Sequence, residues 1–167
     1  MPSAVSTVCR RAARGPLRLV AACALALTLT AVAAPAALAA PAGPAAFNSV
    51  SGASAVLREA ARHAGASYRY GAAGPAHFDC SGFTMFVFAR FGVRLPHNAA
   101  AQAAVTRRIP AAQRRPGDLV FTHSRGGHVT HVGIYAGNGM MWHSPHTGSS
   151  VRLVPLYSRR VSYGRVG

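Results

Sequence analysis

The chain has 167 residues and a formal net charge of +15, set by 18 basic residues, all arginine, against three acidic ones. So basic a balance favours an anionic partner. Nucleic acid is disfavoured, because no arginine run is interleaved with aromatics and no reader motif is present; glycan cleavage, which uses two apposed carboxylates, is left almost without candidates.

Residues 1–39 have the order of an export signal. Arg10, Arg11, Arg14 and Arg18 precede an apolar run from about Leu19 to Val32, and Ala37-Leu38-Ala39 follows as a small-residue cleavage site. The run is short for a membrane span, so cleavage is expected, with no stable membrane span afterwards. Val20-Ala21-Ala22-Cys23 is superficially similar to a lipoprotein box but sits at the start of the apolar run, and the Arg10-Arg11 pair lies in a poor context for twin-arginine export. Residues 40–52, rich in Ala, Pro, Gly and Ser, have the composition of a linker. Residues 53–167 then form one domain, large enough to bury an ordinary core. Without the first 39 residues, fourteen arginines face Glu59, Asp79 and Asp118, a net charge near +11.

Within the domain, apolar periodicity predicts a helix over 54–64, with Ser54 as N-cap and Gly65 as stop. "SYRYGAAGPAH" has the punctuation of a loop. From Asp79, an N-cap type, Phe83, Phe86, Val87, Phe88 and Phe91 predict an apolar helix ending at Gly92, and Asn98 caps a short helix in "NAAAQAAV". After Pro116-Gly117 the pattern changes. "DLVFTH", "VTHVGIYAG", "GMMWHSP", "VRLVPLY" and "RVSYGRV" are short, β-branched or aromatic, and separated by turn signals. Helices followed by strands predict an α+β domain with helices packed on a mainly antiparallel sheet.

Cys9 and Cys23 leave with the signal, so Cys80 stands alone. A lone thiol in an exported protein is either a small buried hydrophobe or a reactive group. Its placement separates these readings, because free N–H groups and the dipole of a helix N-terminus favour a thiolate and can also receive an oxyanion. A depressed thiol pKa is therefore expected at Cys80. What such a nucleophile lacks is a base.

Of eight histidines, His131 and His143 have useful spacing, lying on two predicted strands joined at Asn138-Gly139. A strict two-residue loop pairs Ile134 with His143 and puts His131 on the opposite face. A three-residue loop, or an equivalent bulge, pairs Gly133 with His143 and brings the histidines onto one face as diagonal neighbours, about 7–8 Å apart at Cα. In that second register His131 can act as base towards Cys80, with His143 orienting it.

"SYRYGAAGPAHFDCSGF", "RRPGDLVF" and "HVGIYAGNGMMWHSP" in this order resemble the NlpC family of bacterial cell-wall cysteine peptidases, from about Val56 to Val166. The resemblance implies a compact papain-like fold and a Cys80-His131-His143 triad. It implies hydrolysis of an amide bond in the peptidoglycan stem, usually between D-γ-glutamate and a diamino acid. It also implies an oxyanion role for Tyr68 and substrate contacts at Asp79 and Ser81. Tyr70 where Trp is common, Ala72 where Gly is common, His97 where Arg is often found, and Ser144 where Ala is usual depart from the pattern.

The expectation is thus a secreted, wall-associated, monomeric cysteine endopeptidase with no metal or organic cofactor. Its partners are stem peptides and, through the arginines, anionic wall polymers. Two rivals remain. His128/His131 and His143/His146 have the spacing of zinc-ligand pairs, and a basic wall-binding module could use the same fold without catalysis. Trp142 is open between a core and a cleft-wall position.

Overall fold

The computed structural model describes residues 50–167. The expected signal segment and most of the expected linker lie outside the described residues. Helix α1 (Val50–Arg62) turns Val56, Glu59 and Ala60 inward. It begins before Ser54, which is helical and exposed and so does not serve as the cap. Helix α2 (Cys80–Ala89) buries Phe83, Thr84, Val87 and Phe88. It stops before Gly92, whose φ of +79° suits the turn that follows. Helix α3 (Ala99–Val105) is capped as expected: the Asn98 side chain accepts from the Ala101 N–H at 2.9 Å. No described helix is long and apolar enough to cross a membrane.

Six strands form one sheet, β3 (Arg107–Ile109), β4 (Leu119–His123), β5 (Val129–Gly137), β6 (Met140–His143), β7 (Arg152–Pro155) and β8 (Val161–Arg165), in the order β3-β8-β4-β5-β6-β7. Every pair in it is antiparallel. A second, two-stranded sheet pairs β1 (Ser67–Tyr68) with β2 (His77–Phe78) in parallel, inside the segment expected to be loop.

Strand alternation divides the apolar side chains between two faces. Leu119, Phe121, Val132 and Ile134 join Phe78, Phe83, Val87 and Phe88 in the main core under the helices, and Trp142 packs against it. Val120, Tyr135 and Met141 turn the other way, where Ile109 and Tyr163 complete a smaller cluster.

All three acidic residues of the domain face inward. Glu59 is 6 % exposed, Asp79 6 % and Asp118 3 %. Glu59 pairs with Arg62 at 2.9 Å, Asp79 with His97 at 2.9 Å, and Asp118 with Arg165 through two bonds of 2.7 and 2.8 Å. Of the three, only Asp118–Arg165 has both partners largely buried and joins distant segments; stripping that carboxylate of its cation would be destabilising by about 3–5 kcal/mol.

Candidate active site

Cys80 is the first residue of α2, as the sequence pattern requires. Asp79 makes this helix start rigid. Its Oδ1 accepts from the Gly82 N–H at 2.7 Å and from the Ser81 hydroxyl at 3.1 Å. Its Oδ2 accepts from the Gly71 N–H at 2.9 Å and lies 2.9 Å from His97 Nε2. The carboxylate therefore ties the loop behind Tyr68, the helix start and the α2–α3 connection into one unit. Four partners use its whole lone-pair capacity, so a ligand would meet Asp79 as a charge unless it displaced one of them. The protein donors outweigh burial and hold the Asp79 carboxyl below the usual range.

The hairpin of β5 and β6 has the bulged register. Asn138 and Gly139, with φ of 49° and 71°, form the tight turn, and the ladder shifts between Tyr135 and Gly137. Tyr135 then faces Met141 and Ile134 faces Trp142, which carries Gly133 opposite His143. The glycine is needed there: a Cβ at 133 would lie 2.8 Å from the Trp142 carbonyl oxygen and 3.2 Å from His143 Cβ. His131 and His143 meet edge to face, with ring centroids 5.1 Å apart and Nε2 of His131 at 2.9 Å from Nδ1 of His143.

Cys80, His131, Tyr68, Asp79 and Ser81 line one cavity of about 340 Å³. His143 stands behind His131, 2 % exposed. Two groups outside the sequence expectation position these residues. The Ser144 hydroxyl, fully buried, donates to the Phe78 carbonyl at 2.8 Å and so anchors the end of β6 to the strand entering Asp79-Cys80. Gln102, also fully buried, donates to the Ser81 and Pro96 carbonyls at 2.9 and 2.8 Å and accepts from Thr84 at 2.7 Å. Neither was legible locally, since each acts on residues distant in sequence.

The electrostatics correct one expectation. Burial pushes the Cys80 thiol above its ordinary value of 9.0, and the Asp79 charge adds to this. The N–H groups of Val132, Ser81 and Cys80 act in the opposite direction and do not overcome it. The helix start thus limits the penalty of a half-buried thiolate without producing a depressed pKa. Burial, reinforced by the charge of His146, lowers His131 from 6.5 to about 4. Burial, followed by the charges of His131, Arg152 and His146, lowers His143 to about 3. At neutral pH the resting arrangement is a neutral thiol beside two neutral imidazoles.

Tautomers follow from the geometry. For Nδ1 of His131 to accept a proton, Nε2 must carry the hydrogen and donate it to Nδ1 of His143. The hydrogen of His143 is then on its Nε2, a buried atom with no hydrogen-bond partner among the described residues. Such a group is destabilising by about 1–3 kcal/mol, a cost concentrated beside His131, which borders the thiol cavity. The pairs His128/His131 and His143/His146 do not assemble a metal site: among the described residues no group of three His, Cys, Asp or Glu side chains could hold an ion.

A family model described as "NlpC/P60 family" matches residues 65–164. The chain belongs to the NlpC/P60 family. In this NlpC/P60 chain, 94 residues are 49% identical to a Listeria innocua protein named "Probable endopeptidase p60", covering 56% of the chain and 20% of that protein. The chain thus spans about a fifth of the length of such curated relatives. Among solved structures, an NlpC/P60 family protein from Bacillus cereus matches with a TM-score of 0.64 at 29% identity, over 68% of this chain and 39% of the other. The NlpC/p60 domain of the peptidoglycan hydrolase SagA matches with a TM-score of 0.61 at 32% identity, over 68% of this chain and 97% of the other. The α+β architecture is that of these neighbours.

Proposed function

We propose that this NlpC/P60 domain is a cysteine endopeptidase that hydrolyses amide bonds in peptidoglycan stem peptides, with the D-γ-glutamyl–diamino acid bond as target. The observation that carries the reading is the 2.9 Å contact between His131 and His143 beside a cavity that His131 shares with Cys80. His131 Nδ1 takes the Cys80 proton as sulfur attacks the carbonyl carbon, because neither group is charged at rest. Nε2–H of His131 donates to His143, a bond that strengthens as the imidazolium forms. The Cys80 and Ser81 N–H groups at the start of α2, released as sulfur bonds to carbon, receive the oxyanion with Tyr68. The imidazolium then protonates the departing amine, leaving an acyl-enzyme that water hydrolyses by the same proton route in reverse.

Residues 1–39 are read as an export signal, giving a secreted, wall-associated protein. The arginine exterior holds it to anionic wall polymers, so high salt weakens wall association. The deciding experiment incubates residues 40–167, and the same protein with Cys80→Ala, with purified peptidoglycan and identifies released fragments by mass spectrometry. Stem fragments from the active protein alone support the reading and identify the bond. No release from either, on several wall types under reducing conditions, overturns it in favour of a wall-binding module.

A further inference from the structure

His131 borders two cavities. The first, described above, contains Cys80 and one carboxylate, Asp79. The second, about 590 Å³, lies against His131, His143, Val154, Pro155, Tyr157 and Arg152. It contains the histidine pair and no thiol. It also contains no carboxylate, because Glu59, Asp79 and Asp118 are all engaged elsewhere.

Arg152 is the only arginine lining this second cavity. It stands directly opposite His143 in the β6–β7 ladder, and directly opposed residues of an antiparallel pair share a face. Its guanidinium is near enough to help lower the His143 pKa. It makes no ion pair among the described residues, whereas the arginines at 62, 90 and 165 each meet a carboxylate. An exposed arginine beside an apolar cleft is available to a ligand. Val154, Pro155 and the 62 % exposed Tyr157 supply the apolar walls.

The chemistry orients a peptide across this boundary. The acyl half becomes bonded to Cys80 and remains on the first side. The amine half leaves with a proton from His131, which borders both cavities. We propose that the second cavity is the subsite for the leaving-amine residue, and that Arg152 selects a residue bearing a free carboxylate on an aliphatic stem. The carboxylate pairs with the guanidinium while the stem lies on Val154, Pro155 and Tyr157. This rests on the endopeptidase reading above and adds to it which half of the substrate is discriminated, and by what charge.

The test uses two synthetic stem peptides that are identical except that the leaving residue carries a free carboxylate in one and a carboxamide in the other. Wild type, Arg152→Gln and Arg152→Lys are assayed on both near neutral pH, with melting temperatures measured in parallel. Wild type is expected to prefer the carboxylate about tenfold in kcat/KM, the equivalent of one charged contact. Arg152→Gln brings the ratio close to one, mainly through KM, and Arg152→Lys restores part of it. An unchanged ratio in Arg152→Gln, or equal slowing of both substrates, overturns the assignment while leaving the endopeptidase reading intact. Failure of wild type to cleave either peptide overturns that reading, and this subsite with it.

Discussion

Replacing His143 by Gln isolates the energetics of the buried imidazole. His143 is 2 % exposed and titrates at about 3 in the fold, against an ordinary value of 6.5. A group whose folded pKa is depressed contributes stability above its unfolded pKa, and that contribution is lost as pH falls through 6.5 towards the folded value. Near pH 5 the folded protein still excludes the proton, so the loss depends on the unfolded pKa alone and is about 2 kcal/mol relative to about pH 7.5. Near pH 4 it reaches about 3 kcal/mol. Glutamine can still accept from His131 and does not titrate. Urea unfolding of both proteins at these pH values should therefore show the wild type losing about 2 kcal/mol more than His143→Gln between about pH 7.5 and 5. His131, at about 4, stays mostly neutral in the fold down to about pH 5, and titrating groups distant from His143 cancel. Against a total of about 5–15 kcal/mol the difference is readily measured. Parallel pH dependence would mean that the imidazole is hydrated or charged in the fold, and the argument that His131 works from a neutral pair would fall with it.

Three further outcomes follow from the packing and the thiol. Gln102→Leu removes the donor to the Pro96 carbonyl and one of the two bonds at the Ser81 carbonyl, while the Thr84 hydroxyl turns wholly to Ser81 at 2.9 Å; unfolding free energy should fall by about 1–3 kcal/mol, and a change under about 0.5 kcal/mol would contradict the network's role. Gly133→Ala places a methyl 2.8 Å from the Trp142 carbonyl oxygen and must push β6 away from β5. It should lower stability by about 1–3 kcal/mol and depress peptidoglycan release well below the melting temperature; full activity there would refute the glycine's role in seating His143. Alkylation of Cys80 by iodoacetamide should rise with pH to a midpoint above 9.0, because burial disfavours the thiolate, and a midpoint below that of a free thiol would show the helix start prevailing after all.

Much of the site could be read locally. Asp79 and Asn98 cap their helices because a short polar side chain before an apolar run has one outstanding use. The five late strands follow from alternation and turn residues, and the histidine pairing follows from a choice between two registers. Other features depend on distant partners. β3 contains Arg107, Arg108 and Ile109 and looks solvated; it is a strand only because β8 offers it a ladder. β1 and β2 are two residues each and pair in parallel across a loop, without a periodicity to detect. Ser54 has the chemistry of a cap but lies inside α1, where helix propensity and the burial of Val56 and Ala60 prevail. The expected depression of the thiol pKa fails because the helix terminus is visible in sequence, whereas the partial burial of Cys80 beside Val132 of β5 is not.

The inward position of every carboxylate has a consequence for the exterior. Arginine does not deprotonate in any ordinary medium, and no outward acid of the domain remains to be neutralised or released. The exterior therefore acts as a fixed-charge anion exchanger. Alkali does not deprotonate its arginines, as it would the lysines of a lysine-rich surface, and mild acid adds charge through histidine. Its hold on an anionic matrix responds to ionic strength, through a screening length of about 8 Å in physiological salt, and hardly at all to alkalinity. On the proposed attachment to an anionic wall, a local rise in pH would leave the protein bound, whereas a salt pulse would release it.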